Sequence, residues 1–99
     1  MTESELRAEI VRLSRSLFDR GFSVGSAGNI SVALDDGFLM TPTNSSLGAL
    51  RADALTKLDK NWVHVDGDRP SKEVFLHRAF YETRPQAKAV VHLHSTYAT

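Results

Sequence analysis

Cysteine is absent from the sequence, which excludes both a disulfide framework and thiolate ligation of a metal. Neither sign of charge dominates. Twelve Lys and Arg balance twelve Asp and Glu, so the formal net charge is zero, and the basic footprint of a nucleic-acid binder is missing. No apolar run approaches the ~18 residues of a membrane span. The opening Met1-Thr2-Glu3-Ser4-Glu5 is acidic and polar, unlike a secretory signal, so a cytoplasmic location is the expectation. No internal repeat, linker or low-complexity tract interrupts the chain. What is present is 99 residues with 41% hydrophobic content, enough for one small core.

Read in order, residues 2–20 have the period of an amphipathic helix. Leu6, Ile10, Leu13 and Leu17 form the apolar stripe, Val11 and Phe18 widen it, Thr2 and Glu5 have capping-box spacing, and Gly21 is placed to stop it. Residues 22–31 form a loop rich in small residues that leads into a strand. Ile30, Val32 and Leu34 alternate, Asp35-Asp36-Gly37 signals a hairpin, and Phe38-Leu39-Met40 returns. A helical turn and short strand are expected within 51–58, and another strand at Trp62-Val63-His64-Val65, with His64 facing solvent. A helix capped by Ser71 runs to about Thr83, with Val74, Phe75, Leu76, Ala79 and Phe80 on its buried face. Ala87 to Val91 leads into the central strand. Mixed strands and helices without a βαβ rhythm suggest an α+β fold or a three-layer α/β/α sheet.

Five places can carry chemistry. In the run from Val90 to Thr96, His92 and His94 are two apart. On a strand they share a face ~6–7 Å apart at Cα, with Val91 and Leu93 turned to a core. Such a pair suits a divalent metal such as zinc, and equally suits two packed or surface imidazoles. Gly25 and Gly28 with Asn29 form either a tight turn or a cradle whose N–H groups face a phosphate. Thr41 to Gly48 is either turn chemistry or a set of short donors for a phosphate or sugar. Glu73 is either a helix-start acid favoured by the dipole or a catalytic one. His77 shares its helix face at i, i+4 and either chelates with it or packs.

Taken in order, Gly28-Asn29-Ile30-Ser31, Thr41-Pro42-Thr43, Pro70-Ser71-Lys72-Glu73 and His92-Leu93-His94 resemble the class II aldolase/adducin family across essentially the whole chain. The resemblance implies an α/β fold, a three-layer α/β/α sheet here incomplete. Residues 1–99 would be the N-terminal part of a single domain belonging to a longer protein. It implies that His92 and His94 are two of three histidine ligands to one divalent metal, most often Zn2+, with the third beyond Thr99. Glu73 would be the acid/base and would sometimes touch the metal. Gly28, Asn29, Thr43 and Ser71 would hold a substrate phosphate. Asn44 and Lys72 stand where sugar-phosphate aldolases often carry Gly and Ser.

Within the family, Thr41 to Gly48, Pro70 to Val74 and Ala89 to Thr96 look most like members that convert a 3-oxo-tetronate 4-phosphate to dihydroxyacetone phosphate and CO2 through a metal-stabilised enediolate. Lys72 would then face the substrate carboxylate, or else be a solvated lysine. A sugar-phosphate aldolase or epimerase of the fuculose or ribulose-phosphate type is the near alternative. A non-catalytic adducin-like scaffold or an inactive fragment is the alternative of another class. The partners implied are a phosphorylated sugar acid or sugar phosphate and further copies of the full-length protein in a homo-oligomer, a tetramer, with no nucleic acid or membrane.

Overall fold

The computed structural model describes residues 2–20, 28–42 and 47–92. Helix α1 spans Glu3–Asp19. Its start is the capping box expected from the sequence: the Thr2 hydroxyl accepts from the Glu5 N–H at 3.1 Å, and the Glu5 carboxylate accepts from the Thr2 N–H at 3.0 Å. The residue that stops the helix in the sequence reading, Gly21, lies outside the described residues. The buried line of α1 differs by one residue from the expected stripe. Ile10 and Ser14 are buried, whereas Leu13 is 38% exposed. A spacing of four from Ile10 carries the line through Ser14 and turns Leu13 outward.

Among the described residues, five short strands form one antiparallel sheet: β1 (Asn29–Ala33), β2 (Gly37–Met40), β3 (Thr56–Asp59), β4 (His64–Asp66) and β5 (Ala89–His92), in the order β4-β3-β2-β1-β5. The β1–β2 hairpin closes where Asp35-Asp36-Gly37 predicts it, with the Leu34 N–H donating to the Gly37 carbonyl at 2.7 Å. A single turn of 3-10 helix at Ala52–Ala54 leads into β3. β4 begins later than expected, at His64. Asp59 explains the delay: its carboxylate accepts from the N–H groups of Asn61 and Val63, holding Trp62 in a left-handed turn at φ 66°. His64 is exposed, as expected.

Alternation along the strands divides the sheet into two unlike faces. Ile30 and Val32 of β1, with Leu39 of β2, face α1. Ile10, Leu39 and Leu55 are buried together there, with Leu6, Val32, Leu34 and Leu50 packed against them. Each fully buried side chain of this size contributes about 1.5–3 kcal/mol of apolar transfer. Asn29 and Ser31 face the other way, as do their cross-strand partners His92, Val90 and Met40. Helix α2, Val74–Thr83, covers that second face. The arrangement is α/β/α in layers, as the resemblance implies.

Two expectations for α2 are corrected. The helix begins at Val74 rather than just after Ser71. The Ser71 hydroxyl does not cap it but accepts from the Glu73 N–H at 3.2 Å, a separate local turn. Its buried face is also different. His77 and Tyr81 are buried, while Phe75, Leu76 and Phe80 are 64%, 45% and 39% exposed and Ala79 is exposed. The sheet surface under α2 is partly polar, and the helix turns its polar stripe toward it. Val91 likewise points to the α1 side but is 47% exposed, because β5 is an edge strand with little above it.

Candidate active site

Antiparallel pairing brings the start of β1 beside the end of β5, with Asn29 opposite His92. The end of β2 reaches the same edge. There the Thr41 N–H donates to the Ile30 carbonyl at 2.9 Å, and the Thr41 hydroxyl accepts from the Ile30 N–H at 3.1 Å. An isolated bridge between Pro42 and Pro70 ties this segment to the chain entering α2. Gly28, Asn29, Ser71, Lys72, Glu73 and His92 thus come from segments that converge on one end of the sheet. Gly28 has φ 89°, a conformation that glycine takes without strain.

At the centre is Glu73, half-buried at the entry to α2. The Asn29 amide donates to its Oε2 at 2.9 Å. The His92 Nδ1 lies against the same oxygen, with side-chain exposures of 36% for His92 and 30% for Glu73. Below them the network continues into the interior. The Asn29 Oδ1 pairs with the His77 Nε2, the His77 Nδ1 meets the Ser31 Oγ at 2.6 Å, and the Ser31 Oγ meets the Tyr81 hydroxyl at 3.0 Å. The Tyr81 ring lies 4.9 Å from the Phe38 ring, which in turn stacks on Trp62 at 3.9 Å. One aromatic side therefore seals a polar interior.

Burial sets the ionisation of this interior. Loss of water pushes the His77 imidazole down to about 4, helped by the nearby His92 and opposed by Glu73. At neutral pH the ring is uncharged. The Tyr81 hydroxyl is pushed up by burial, against hydrogen bonds from Ser31 and the Val90 backbone.

Of the residues singled out by sequence, Glu73, Asn29 and His92 are in mutual contact, directly or through one atom. Ser71 reaches Glu73 through its backbone. Lys72 is exposed between them. Thr43, Asn44 and His94 lie outside the described residues. Asn29 is 5% exposed with both amide atoms engaged, which leaves one amide N–H for another acceptor. His77 packs rather than chelates, its ring nitrogens taken by Asn29 and Ser31. Ser31 and Tyr81 were not anticipated. The signal was available: Glu73, His77 and Tyr81 recur every four residues on one helix face, and Asn29 and Ser31 alternate onto one strand face.

A divalent metal is tested here by the donor chemistry. An imidazole nitrogen and a carboxylate oxygen, both ligand types for zinc, lie together at the sheet edge. Among the described residues no third His, Cys, Asp or Glu joins them. These two donors are of the types that a divalent metal accepts.

Residues 8–99 match the Class II Aldolase and Adducin N-terminal domain, and the chain belongs to that family. It is 53% identical over 96 residues to a 3-oxo-tetronate 4-phosphate decarboxylase of Cupriavidus necator, covering 97% of this chain and 44% of that protein. It is 37% identical over 95 residues to an L-fuculose phosphate aldolase of Haemophilus influenzae, covering 96% and 44%. The crystal structure of YgbL from Klebsiella pneumoniae, described as a candidate aldolase/epimerase/decarboxylase, superimposes with a TM-score of 0.93 at 50% identity, covering 98% of this chain and 47% of that one. The chain spans a little under half the length of the curated relatives it matches. Among the described residues no helix is long and apolar enough to cross a membrane.

Proposed function

We propose that the whole protein decarboxylates a 3-oxo-tetronate 4-phosphate, giving dihydroxyacetone phosphate and CO2. The observation that carries this reading is the difference in likeness: 53% identity to a relative named for this reaction against 37% to one named for fuculose phosphate cleavage. The meeting of Glu73, Asn29 and His92 on one sheet face supports it.

The substrate is a β-keto acid. The bond between its carboxylate carbon and C2 breaks, CO2 departs, and the electron pair stays across C2 and C3. A proton added at C2 completes the product. Glu73 is the group for that proton, since it sits at the sheet edge with partial access to solvent. Asn29 holds its Oε2 by an amide N–H. His92, with His94 and a third histidine beyond this chain, would hold a divalent metal, zinc as the first choice, and Glu73 would approach it when substrate is absent. When bound, the metal supplies Lewis-acid polarisation of the keto and hydroxyl oxygens. Gly28, Asn29, Thr43 and Ser71 would receive the phosphate, and Lys72 the carboxylate before it leaves. The whole protein would be a cytoplasmic homo-oligomer, a tetramer.

The test is a substrate comparison with the purified whole protein. CO2 and dihydroxyacetone phosphate should form from the 3-oxo acid phosphate, and the rate should vanish with a chelator and return with added divalent metal. Faster cleavage of L-fuculose 1-phosphate, or a rate indifferent to chelation, would contradict the reading.

A further inference from the structure

The buried His77 is not used by the reaction as written, yet it sits directly beneath the groups that are. For a neutral His77 ring, the hydrogen bonds around it have only one consistent direction. The Glu73 carboxylate oxygen is an acceptor, so the Asn29 amide must turn its nitrogen to Glu73 and its oxygen to His77. The His77 Nε2 must then carry the hydrogen. Its Nδ1 is left as an acceptor, and the Ser31 hydroxyl is the donor at 2.6 Å. The Ser31 oxygen accepts in turn from the Tyr81 hydroxyl at 3.0 Å. The path runs from the Tyr81 hydroxyl to the carboxylate without a break in sense.

We propose that His77, Ser31 and Tyr81 are positioning residues: they fix the Nε2–H tautomer of His77, which orients the Asn29 amide and through it holds the Glu73 carboxylate in its working orientation. The inference rests on Glu73 being the acid/base of the proposed reaction. Without the His77 donor, the Asn29 oxygen would be buried without a partner, and the amide that holds Glu73 would lose one of its two anchors. The neutral state that the device requires is favoured by the burial of the ring, which is 1% exposed. His77 and Ser31 are 1% and 0% exposed, so solvent cannot substitute for either partner.

The first test is nitrogen NMR of the His77 ring in the whole protein at neutral pH. A protonated Nε2 and unprotonated Nδ1 are expected, and the opposite tautomer or an imidazolium would overturn the inference. The second test uses kinetics on variants of matched fold content. His77→Phe keeps a ring of similar size without the donor, and should lower kcat roughly tenfold with KM nearly unchanged, the effect of about one hydrogen bond. His77→Gln places an amide N–H where Nε2 was and should recover most of that loss. Tyr81→Phe, which removes one hydroxyl at the far end, should lower kcat by a smaller factor. Equal kcat in the Phe and Gln variants of His77, or a loss seen only in KM, would contradict the proposal. If wild-type protein releases no CO2, the functional reading fails while the ring tautomer still decides this one.

Discussion

The two faces of β1 are built from adjacent residues and do opposite work. Ile30 and Val32 face α1, and that side is apolar and closed. Asn29 and Ser31 face α2, and that side is buried yet lined with polar groups that satisfy one another. A five-residue strand thus separates an apolar core from a buried, hydrogen-bonded polar face, using only the two-residue alternation of an extended chain. The comparison teaches that chemistry is placed here by the register of the sheet. A slip of one residue between β1 and β5 would turn His92 away from Asn29 and Glu73.

The largest expected effect falls on the polar face at its edge. His92→Ala should abolish decarboxylation and sharply reduce the metal retained by the whole protein after gel filtration, while the melting temperature of the metal-free form stays near wild type. On the apolar face the pattern should invert. Leu39→Ala removes a fully buried side chain between α1 and the sheet. It should cost about 2–5 kcal/mol in denaturant unfolding, with kcat per folded molecule retained.

An intermediate effect is expected from pH. His77 has a folded value of about 4 against an ordinary 6.5, so the unfolded chain binds the proton first. Its contribution is complete above about 6.5 and declines as pH falls through 4, by about 3 kcal/mol in all. Denaturant midpoints measured across this window should fall with acidity, and His77→Gln should flatten that decline. A smaller effect is expected at the start of α1, away from both faces. Thr2→Ala removes the hydroxyl of the capping box and should cost about 1 kcal/mol of thermal stability with no change in activity.

The same comparison marks how far the sequence could be read. The apolar face was legible because Ile30, Val32 and Leu39 alternate and Leu6 and Ile10 repeat at helical spacing, and burial follows such periods closely. The convergence of Glu73 and His92 on one end of the sheet was legible because their residue types and motif order carry the family resemblance. The inward face of α2 was not. Phe75, Leu76 and Phe80 outweigh His77 and Tyr81 on any hydrophobic scale, so apolar periodicity selected the wrong side of the helix. What reversed it is a long-range pairing, Ser31 with His77 and Tyr81, between residues 46 and 50 positions apart. Local patterns hold no record of such pairings. Glu73 was placed inside the first turn for a related reason: the Ser71 hydroxyl satisfies its N–H in a turn that competes with capping.

The claim at the centre is that Glu73, held by Asn29 beside His92, moves the proton. The most direct measurement is kcat for CO2 release by the whole protein carrying Glu73→Gln, with folding and bound metal verified in the same preparation. A general acid/base contributes about 10²–10⁴-fold, so kcat should fall by about a hundredfold or more while KM changes little. A variant that turns over at the wild-type rate, or that loses only substrate affinity, would contradict that assignment.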